Sequence, residues 1–239
     1  MDDEENAAMN ISVCMAVHNG EAFLRAQMDS ILVQLKSDDE LIVSDDGSTD
    51  GSLQILQSYQ DPRIKILSPK KFGSPVQNFQ YVLERAKGEI IFLADQDDVW
   101  HNKKIEVFLD YLQNVDLAIC DCRLVDAQLN EIESSFFDLN RSRTGLLKNL
   151  LKSSFIGCCM GFHKRVLEKA LPFPKNVSMH DQWIGLIAQK YFRVKFIPLV
   201  LVDHRRHSKN YSTTGTRSKN SLNRKIFSRL QLIKNLSQY

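Results

Sequence analysis

The first hundred residues alternate between short apolar runs and stretches whose apolar residues recur at helical spacing. The apolar runs lie at residues 11–17, 41–44, 63–67 and 89–94. Runs of this length, rich in β-branched residues, predict buried strands. Between the first two, Leu24, Met28 and Ile31 recur at the three- and four-residue spacing of an amphipathic helix. Such alternation predicts an α/β fold with a central, mostly parallel sheet flanked by helices.

The second half of the chain has a less regular pattern. We expect strands at 116–120 and 196–202, a tightly packed strand or turn at 156–162, helices at 146–151 and 183–191, and a loop at 131–144. Because ligands of such sheets bind beyond the carboxyl ends of the strands, the polar clusters that follow the strands of the first half are the candidate site.

Composition and charge narrow the class of protein. The 239 residues are 43% hydrophobic and 25% charged, which is ordinary globular composition, and a net charge of +2 argues against a general nucleic-acid binder. The five cysteines lack zinc-site spacing and favour reduced, buried thiols. Because the N-terminus is acidic and no apolar run is long enough to cross a bilayer, we expect a cytoplasmic protein.

The C-terminal segment is strongly basic. Nine Lys and Arg residues, and no acidic residue, follow Asp203. Within the segment Ile226, Leu230 and Ile233 recur at helical spacing, which predicts a weakly amphipathic basic helix. Such a helix could lie on an anionic membrane surface at the inner face of the cytoplasmic membrane. The alternatives are a solvated tail, or a helix packed on the domain or on a second subunit.

Three carboxylates directly follow the apolar run at 89–94. Asp95, Asp97 and Asp98 would repel one another, and a cation among them would remove that cost. Hard carboxylate oxygens suit Mg²⁺ or Mn²⁺, which also bind substrate phosphates. The alternative is a helix N-terminus, where the helix dipole favours an acidic residue. We favour the metal, because the alternative explains one carboxylate better than three.

A second acidic pair, Asp45 and Asp46, follows the apolar run at 41–44. A turn at Gly47 with a helix cap accounts for one of the two carboxylates. The other could accept hydrogen bonds from a base or a ribose, as acidic residues at strand ends do in other nucleotide sites. Since the sequence has neither a Walker A motif nor Gly-x-Gly-x-x-Gly, metal and basic side chains would have to neutralise the phosphates of a nucleotide.

Taken together, residues 12–20, 43–50 and 88–100 resemble the opening strand and the Asp-rich motifs of the family-2 glycosyltransferases, which have the GT-A fold. Residues 179–183 and 204–210 resemble the bacterial rhamnosyltransferase-like branch. The resemblance implies one nucleotide-sugar-binding domain at 10–212, between an acidic extension (1–9) and the basic tail (213–239). Its halves would bind nucleotide (10–100) and acceptor (101–212). Val17 and His18 depart from the family's opening turn.

The resemblance also implies roles for individual residues. Asp181 stands at the position of the catalytic base; capping of the following helix is the alternative. Asp97 and His207 would hold Mn²⁺ or Mg²⁺, although His207 could instead bond the diphosphate or lie in a surface loop. The other roles are nucleotide binding by Ala16, Asn19, Asp45, Asp46 and Asp95, contact with sugar or acceptor by His180 and Trp183, and diphosphate contact by Arg205 and Arg206. Core packing is the alternative for the tryptophan, and the start of the tail for the arginines.

The function implied is metal-dependent, inverting transfer of a sugar, with rhamnose a candidate, from a UDP- or dTDP-linked donor. The acceptor would be a hydroxyl group of a surface polysaccharide or lipid-linked glycan. Two alternatives stay open. One is a binding module of the same fold without turnover. The other is a different Mg²⁺-dependent phosphate enzyme with Asp95 as nucleophile, although that chemistry usually places Asp-x-Asp after the first strand.

Overall fold

The computed structural model describes residues 9–208, residue 210 and residues 222–239. The strands are β1 (Ile11–Val17), β2 (Glu40–Asp45), β3 (Ile64–Ile66), β4 (Ile90–Asp95), β5 (Val99–Trp100), β6 (Leu117–Val125), β7 (Glu131–Glu133), β8 (Met160–His163) and β9 (Val194–Arg205). The helices are α1 (Leu24–Leu32), α2 (Ser52–Ser58), α3 (Pro75–Leu83), α4 (Lys104–Leu112), α5 (Phe136–Asn140), α6 (Leu146–Leu151), α7 (Lys164–Ala170), α8 (His180–Tyr191) and α9 (Leu222–Gln238), with a 3₁₀ turn at Gly157–Cys159.

The nine strands of the described residues form one sheet, in the order β3-β2-β1-β4-β8-β6-β9-β5, with β7 beside β6. The strands β3, β2, β1 and β4 are parallel, as predicted for the first half. Beyond β4 the sheet is mixed, because the short strand β8 runs antiparallel to both β4 and β6. Since β8 is antiparallel to both of its neighbours, β6 runs in the same direction as β4, and β9 is parallel to β6. The carboxyl ends of β4, β6 and β9 therefore lie at the same edge of the sheet.

The core lies between the sheet and the helices on its faces. Leu24, Met28 and Ile31 are fully buried against it, so the helical spacing identified the inner face of α1. The central strand β4 is buried from Ile90 to Ala94. Close packing leaves little room at Gly88, where a Cβ would lie 2.5 Å from the backbone nitrogen of Ser12.

Two expectations for the second half were wrong or incomplete. Residues 131–144 are not a plain loop but contain β7 and the short helix α5, whose N-cap Ser135 accepts a hydrogen bond from the Asp138 N–H. The helices α4 and α7 were not predicted. Each is short, and each buries only three or four side chains, so the periodic signal covers barely two turns.

The basic segment forms a helix where the structure describes it. One face of α9 packs on the domain, with Leu232 and Leu236 buried. Packing on the domain was one of the alternatives for this segment. Residues 1–8, 209 and 211–221 lie outside the described residues, and with them most of the acidic extension and the first part of the basic tail. Within the described part of the chain, no helix combines the length and the apolar character that crossing a bilayer requires.

Candidate active site at the carboxyl edge of the sheet

Strand register brings three polar strand ends together. Ala16 of β1 pairs with Ser44 of β2 on one side and with Asp95 of β4 on the other. Val17 pairs with Asp45 in the same way. The candidate nucleotide-binding residues of the three motifs therefore lie side by side on one edge, as their positions after consecutive parallel strands predicted.

The two carboxylates after β2 are buried and occupied by loop donors. Asp45 accepts hydrogen bonds from the hydroxyl and the backbone N–H of Ser48, the latter at 3.0 Å. Asp46 accepts from the backbone N–H groups of Phe72, Gly73 (3.0 Å) and Ser74 (3.2 Å). Asp45 thus forms the turn that the sequence predicted, and Asp46 ties the loop before α3 to the edge of the sheet.

The turn after β1 is joined to both neighbouring loops. The Asn19 side-chain oxygen accepts a hydrogen bond from the Thr49 N–H at 2.8 Å, and the Asn19 N–H donates to the Ser48 hydroxyl at 2.9 Å. On the other side, the Gln96 side chain accepts from the His18 N–H (2.6 Å) and donates to the His18 carbonyl (2.9 Å). Sequence reasoning had assigned no role to Gln96; its place between two aspartates was the only signal.

Asp95 ends β4 and faces like charges. Desolvation by the surrounding protein, with Asp98 and Asp97 adding repulsion and Asp181 a smaller share, raises its pKa well above the usual value. Among the described residues no hydrogen-bond donor reaches its carboxylate, whereas its backbone carbonyl accepts from the Gln27 side chain at 2.9 Å. This is the electrostatic situation that a bound cation would relieve.

Asp97 meets His207, although 110 positions separate them. The Asp97 Oδ2 atom lies 2.8 Å from His207 Nε2, and the Asn210 amide donates to the same oxygen at 2.9 Å. The His207 ring stacks on Phe23, with ring centroids 4.8 Å apart. His207 and Asn210 thus reach the acidic motif after β4 from the end of β9, and the two residues proposed as metal ligands are brought together. Asn210 was not singled out from the sequence.

Asp98 belongs to a separate, buried cluster. Its Oδ1 atom lies 2.9 Å from His204 Nδ1 and also accepts from the Arg205 N–H at 2.9 Å. The Cys158 sulfur lies 3.7 Å from the same His204 nitrogen. Desolvation disfavours the ionised form of both groups, but the attraction between them outweighs it. The pKa of His204 therefore lies well above its usual value, and the pKa of Asp98 lies below its usual value.

Two groups of side chains could hold a metal ion. The ligand atoms of Asp98, Cys158 and His204 lie within 4.8 Å of one another, but the cluster is buried and its thiol is a soft ligand. The Asp97 carboxylate and the His207 imidazole lie at the edge of the sheet near Asp95; Asp97 is buried, and the His207 side chain is 13% exposed. Oxygen ligands with open positions are what Mg²⁺ and Mn²⁺ require when they bind a substrate diphosphate. The edge pair offers such an oxygen from Asp97 and a nitrogen from His207, whereas the buried cluster contributes a soft thiol.

Asp181 lies in the first turn of α8, one residue after His180. It is not the N-cap, which is Met179, so the capping alternative is wrong in its simple form. Its carboxylate accepts hydrogen bonds from the backbone N–H groups of Gly157 (3.2 Å) and Gln182 (2.6 Å). Burial raises the pKa of Asp181 to about 6. A carboxylate of this kind is ionised at neutral pH and still basic enough to accept a proton.

The two candidate sugar contacts next to Asp181 are both buried. The His180 ring stacks on Phe79, with centroids 3.8 Å apart, and burial lowers its pKa to about 3. Trp183 is fully buried, and its indole N–H donates to the Ala170 carbonyl at 2.9 Å. The structure places Trp183 in the core, which matches the alternative of core packing, and it does not bring the ring to the edge.

Arg205 is also held by the protein itself. Its guanidinium donates to the carbonyl oxygens of Asp97 (2.8 Å) and Ala127 (2.7 Å) and lies over the Phe23 ring. It therefore fixes the backbone of the acidic motif from β9, rather than starting a tail. Arg206 is partly exposed, and its backbone N–H donates to the Val125 carbonyl at 2.7 Å.

Lys104 is a buried cation that sequence reasoning missed. Its ammonium group donates to the Cys158 carbonyl at 2.6 Å and lies 3.4 Å from the centre of the Trp100 ring. Burial lowers its pKa. Trp100 is itself buried, so the tryptophan after the acidic motif is a core residue. Lys104 links that motif to the 3₁₀ turn that carries Gly157.

The sequence model described as Glycosyl transferase family 2 matches residues 12–171. The dTDP-rhamnosyl transferase RfbG of Shigella flexneri is 37% identical over 105 residues, 41% of this chain and 36% of that protein. The UDP-Glc:alpha-D-GlcNAc-diphosphoundecaprenol beta-1,3-glucosyltransferase WfgD of Escherichia coli is 26% identical over 176 residues, 74% of this chain and 68% of that protein. The chain spans about half the length, or less, of several curated relatives that it matches: 54%, 43% and 36%.

Solved structures show the same fold. S. aureus TarS 1-349 in complex with UDP-GlcNAc matches with a TM-score of 0.71 at 19% identity, over 94% of this chain and 65% of that one. The mannosyltransferase PcManGT from Pyrobaculum calidifontis, in complex with GDP-Man and Mn²⁺, matches with a TM-score of 0.64 at 19% identity, over 84% of this chain and 58% of that one.

Proposed function

The chain belongs to glycosyl transferase family 2 and has the GT-A fold, and from this premise we propose that it moves a sugar from a nucleotide-diphosphate donor to a hydroxyl group of a growing glycan. The proposal depends above all on one observation. Asp97 and His207, 110 positions apart, meet at 2.8 Å beside Asp95, on the edge where the family's nucleotide motifs lie. Asp181 is close enough to contribute to the raised pKa of Asp95.

The first half of the domain, residues 10–100, would bind the nucleotide. Ala16, Asn19 and Asp95 line the edge between the loops, and Asp45 and Asp46 hold those loops in place through buried hydrogen bonds. Asp97 and His207 would hold the divalent cation, Mn²⁺ or Mg²⁺. When bound, such an ion stabilises the negative charge that develops on the departing diphosphate. Arg206, which follows β9 and is partly exposed, would contact the diphosphate, and Arg205, which is buried, would support the site through the backbone of Asp97.

Asp181 would act as the general base of the transfer. Its carboxylate takes the proton of the acceptor hydroxyl as that oxygen attacks the anomeric carbon of the donor sugar. The bond from the anomeric carbon to the diphosphate oxygen breaks, and its electron pair leaves with the nucleotide. A single displacement of this kind inverts the anomeric centre. The two backbone N–H groups that donate to Asp181 keep the carboxylate oriented while burial keeps its pKa near 6.

The names of the relatives indicate the class of substrate. RfbG is a dTDP-rhamnosyl transferase, WfgD takes UDP-Glc and a diphosphoundecaprenol-linked acceptor, and the TarS structure contains UDP-GlcNAc. We infer a UDP- or dTDP-linked donor, with rhamnose among the candidate sugars, and an acceptor that is a surface polysaccharide or lipid-linked glycan. Such an acceptor would place the enzyme at the inner face of the cytoplasmic membrane.

The test is a screen of UDP- and dTDP-sugars with Mn²⁺, read as release of the nucleotide. We expect turnover with one donor, loss of turnover in EDTA, and loss in Asp97→Asn. The exposed Asp110 of α4 provides the matched control, Asp110→Asn, which should retain full activity. Full activity of purified Asp97→Asn would refute the assigned role of Asp97.

Binding separates the enzyme from a module without turnover. Ligand at 100 times its Kd stabilises a protein by about 2.7 kcal/mol, which for a domain of this size raises Tm by roughly 5–10 °C. We expect such a shift for UDP or dTDP with Mn²⁺ and none in EDTA. A shift without release or transfer from any donor would instead support a non-catalytic nucleotide-sugar-binding module.

A further inference from the structure

The helix α9 has apolar side chains on two faces, and only one of these faces packs on the domain. Its inner face is buried at Leu232 and Leu236, and Lys190 donates to the Leu236 carbonyl at 2.5 Å. The outer face is apolar and open, with Phe227 62% and Leu230 58% exposed. At about 100° of rotation per residue, these side chains point away from the buried face. Ile226 and Ile233 flank them and are about half exposed.

The short helix α6 extends this apolar surface. Leu147 is 77% and Leu151 64% exposed, although both are leucines in a helix that packs on the domain. The two helices are in contact, because Arg229 of α9 donates to the Leu151 carbonyl at 2.5 Å. We call the outward side chains of α6 and α9 the α6–α9 face. Its members are Leu147, Leu151, Ile226, Phe227, Leu230 and Ile233.

The two chain segments that carry the α6–α9 face have charges of a single sign. No Asp or Glu occurs from residue 139 to residue 167, or after Asp203. Basic residues are frequent in the same two segments, among them Lys148 and Lys152 on and beside α6 and Arg229 and Lys234 on α9. Apolar side chains carried by segments whose charged residues are all basic are the pattern of surfaces that insert shallowly into an anionic lipid interface.

The α6–α9 face lies one helix away from the candidate base. Asn149 of α6 accepts a hydrogen bond on its carbonyl from the Gln182 side chain at 3.3 Å, and Gln182 directly follows Asp181 in α8. We propose that the α6–α9 face docks the protein on an anionic membrane surface and so presents the acceptor side of the domain to lipid-linked glycans. The statement about the acceptor rests on the proposed function; the membrane contact does not.

The first test measures binding of the full chain to vesicles. We expect co-sedimentation with vesicles of phosphatidylcholine and phosphatidylglycerol at low salt, weaker binding at high salt, and little binding to phosphatidylcholine alone. The double variants Phe227→Ser/Leu230→Ser and Leu147→Ser/Leu151→Ser should each weaken binding by about tenfold or more, because each removes two side chains that would enter the interface. Since these side chains are exposed, the variants should melt at the temperature of the unmodified protein.

A matched control uses exposed apolar residues elsewhere. Val33, after α1, and Ile132, in β7, are both well exposed, and Val33→Ser/Ile132→Ser should bind vesicles like the unmodified protein. The proposal is overturned if the unmodified protein ignores anionic vesicles at low salt, or if the control loses binding equally. It is also overturned if the α9 and α6 variants bind normally but convert a dimer to a monomer, which would make the face an interface between copies of the chain.

Vesicle binding needs neither donor nor metal, so its outcome is separate from that of the donor screen. Turnover of a donor with no vesicle binding would leave the proposed function standing and remove the docking surface. Vesicle binding with no turnover of any donor would leave the docking surface standing and remove the proposed function. If both hold, transfer to a lipid-linked acceptor in vesicles should fall in the Phe227→Ser/Leu230→Ser variant, whereas nucleotide release in solution should not.

Discussion

The acids at the end of β2 and those at the end of β4 have similar sequence surroundings, yet they have different partners. Asp45 and Asp46 accept hydrogen bonds from the backbone and hydroxyl groups of two loops. At the end of β4, the described part of the chain gives the Asp95 carboxylate no such donor, and desolvation and its acidic neighbours raise its pKa. Acids that loop donors satisfy hold structure together, whereas acids that lack donors are available to a cation or a substrate. At the end of β4, Asp95 is therefore available to a ligand, whereas Asp98, which is paired with His204, belongs to the scaffold as Asp45 and Asp46 do.

Replacing the base gives the largest effect that we expect. General base catalysis typically contributes about 10²- to 10⁴-fold to a rate, so Asp181→Asn should lower kcat by that factor. The fold should survive with a modest loss of stability, because the Gly157 and Gln182 N–H groups donate to different oxygens of Asp181 and the asparagine keeps an acceptor for one of them. The measurement is nucleotide release with saturating donor and acceptor, alongside thermal unfolding. A normal rate in Asp181→Asn would show that Asp181 is not the base and has a structural role only.

Breaking the buried ion pair tests the scaffold within the acidic motif. His204→Ala would leave the Asp98 carboxylate buried without its cation, which costs about 3–5 kcal/mol of unfolding free energy. The matched control is His101→Ala, since His101 pairs with Asp203 at 2.8 Å but is about a third exposed. That change should cost about 1 kcal/mol or less. Urea unfolding of both variants would decide, and equal losses would contradict the role given to burial.

Removing a loop acceptor tests the scaffold at β2. Asp46→Ala would leave the Phe72, Gly73 and Ser74 N–H groups without their acceptor, at a cost of about 1–3 kcal/mol. Hydrogen exchange of these amides should accelerate. The exposed Asp38 serves as control, and Asp38→Ala should change neither quantity. Unchanged exchange in Asp46→Ala would show that the loop before α3 does not depend on this carboxylate.

The pH profile should give the smallest of these effects. Asp181, with a pKa of about 6, accepts a proton only when it is ionised. The rate should therefore fall by about tenfold per pH unit below about pH 6 and level off above it. The measurement is kcat/KM for the donor from acid to neutral pH, with the unfolding transition followed in parallel. A flat profile through pH 6 would exclude an essential base with this pKa.

The sequence was sufficient to predict the first half of the fold. Its strands are apolar and its helices periodic, so β1 to β4 and the edge with Asp95 and Asp97 followed from local patterns and the rules of parallel sheets. The second half depends on contacts between distant residues. That His207 reaches Asp97 follows from the position of β9 beside β6 and β5, which no local pattern specifies.

Other features of the site were beyond sequence reasoning for the same reason. The motif His180 to Trp183 resembles a substrate-binding segment, but the helical turn directs His180 and Trp183 into the core and leaves Asp181 nearer the surface. Cys158 and Lys104 enter the acidic region only through tertiary packing. Residue types therefore indicated the chemistry, while the fold decided which members of each motif could reach a ligand.

The amide of Gln96 has a consequence for how the edge can vary. The Gln96 amide donates one hydrogen bond to the His18 main chain at 2.9 Å and accepts one at 2.6 Å, as a peptide group of a neighbouring strand would. It thereby adds one more pair of hydrogen bonds between the ends of β1 and β4. A glutamate of the same shape could not offer the donor. A side chain at position 20 would collide with the Gln96 amide, since a Cβ at Gly20 would lie 2.6 Å from the Gln96 side-chain oxygen. The distance between the two loops is therefore still set by sheet-like hydrogen bonding at His18 and Gln96, one residue after β1 and β4 end.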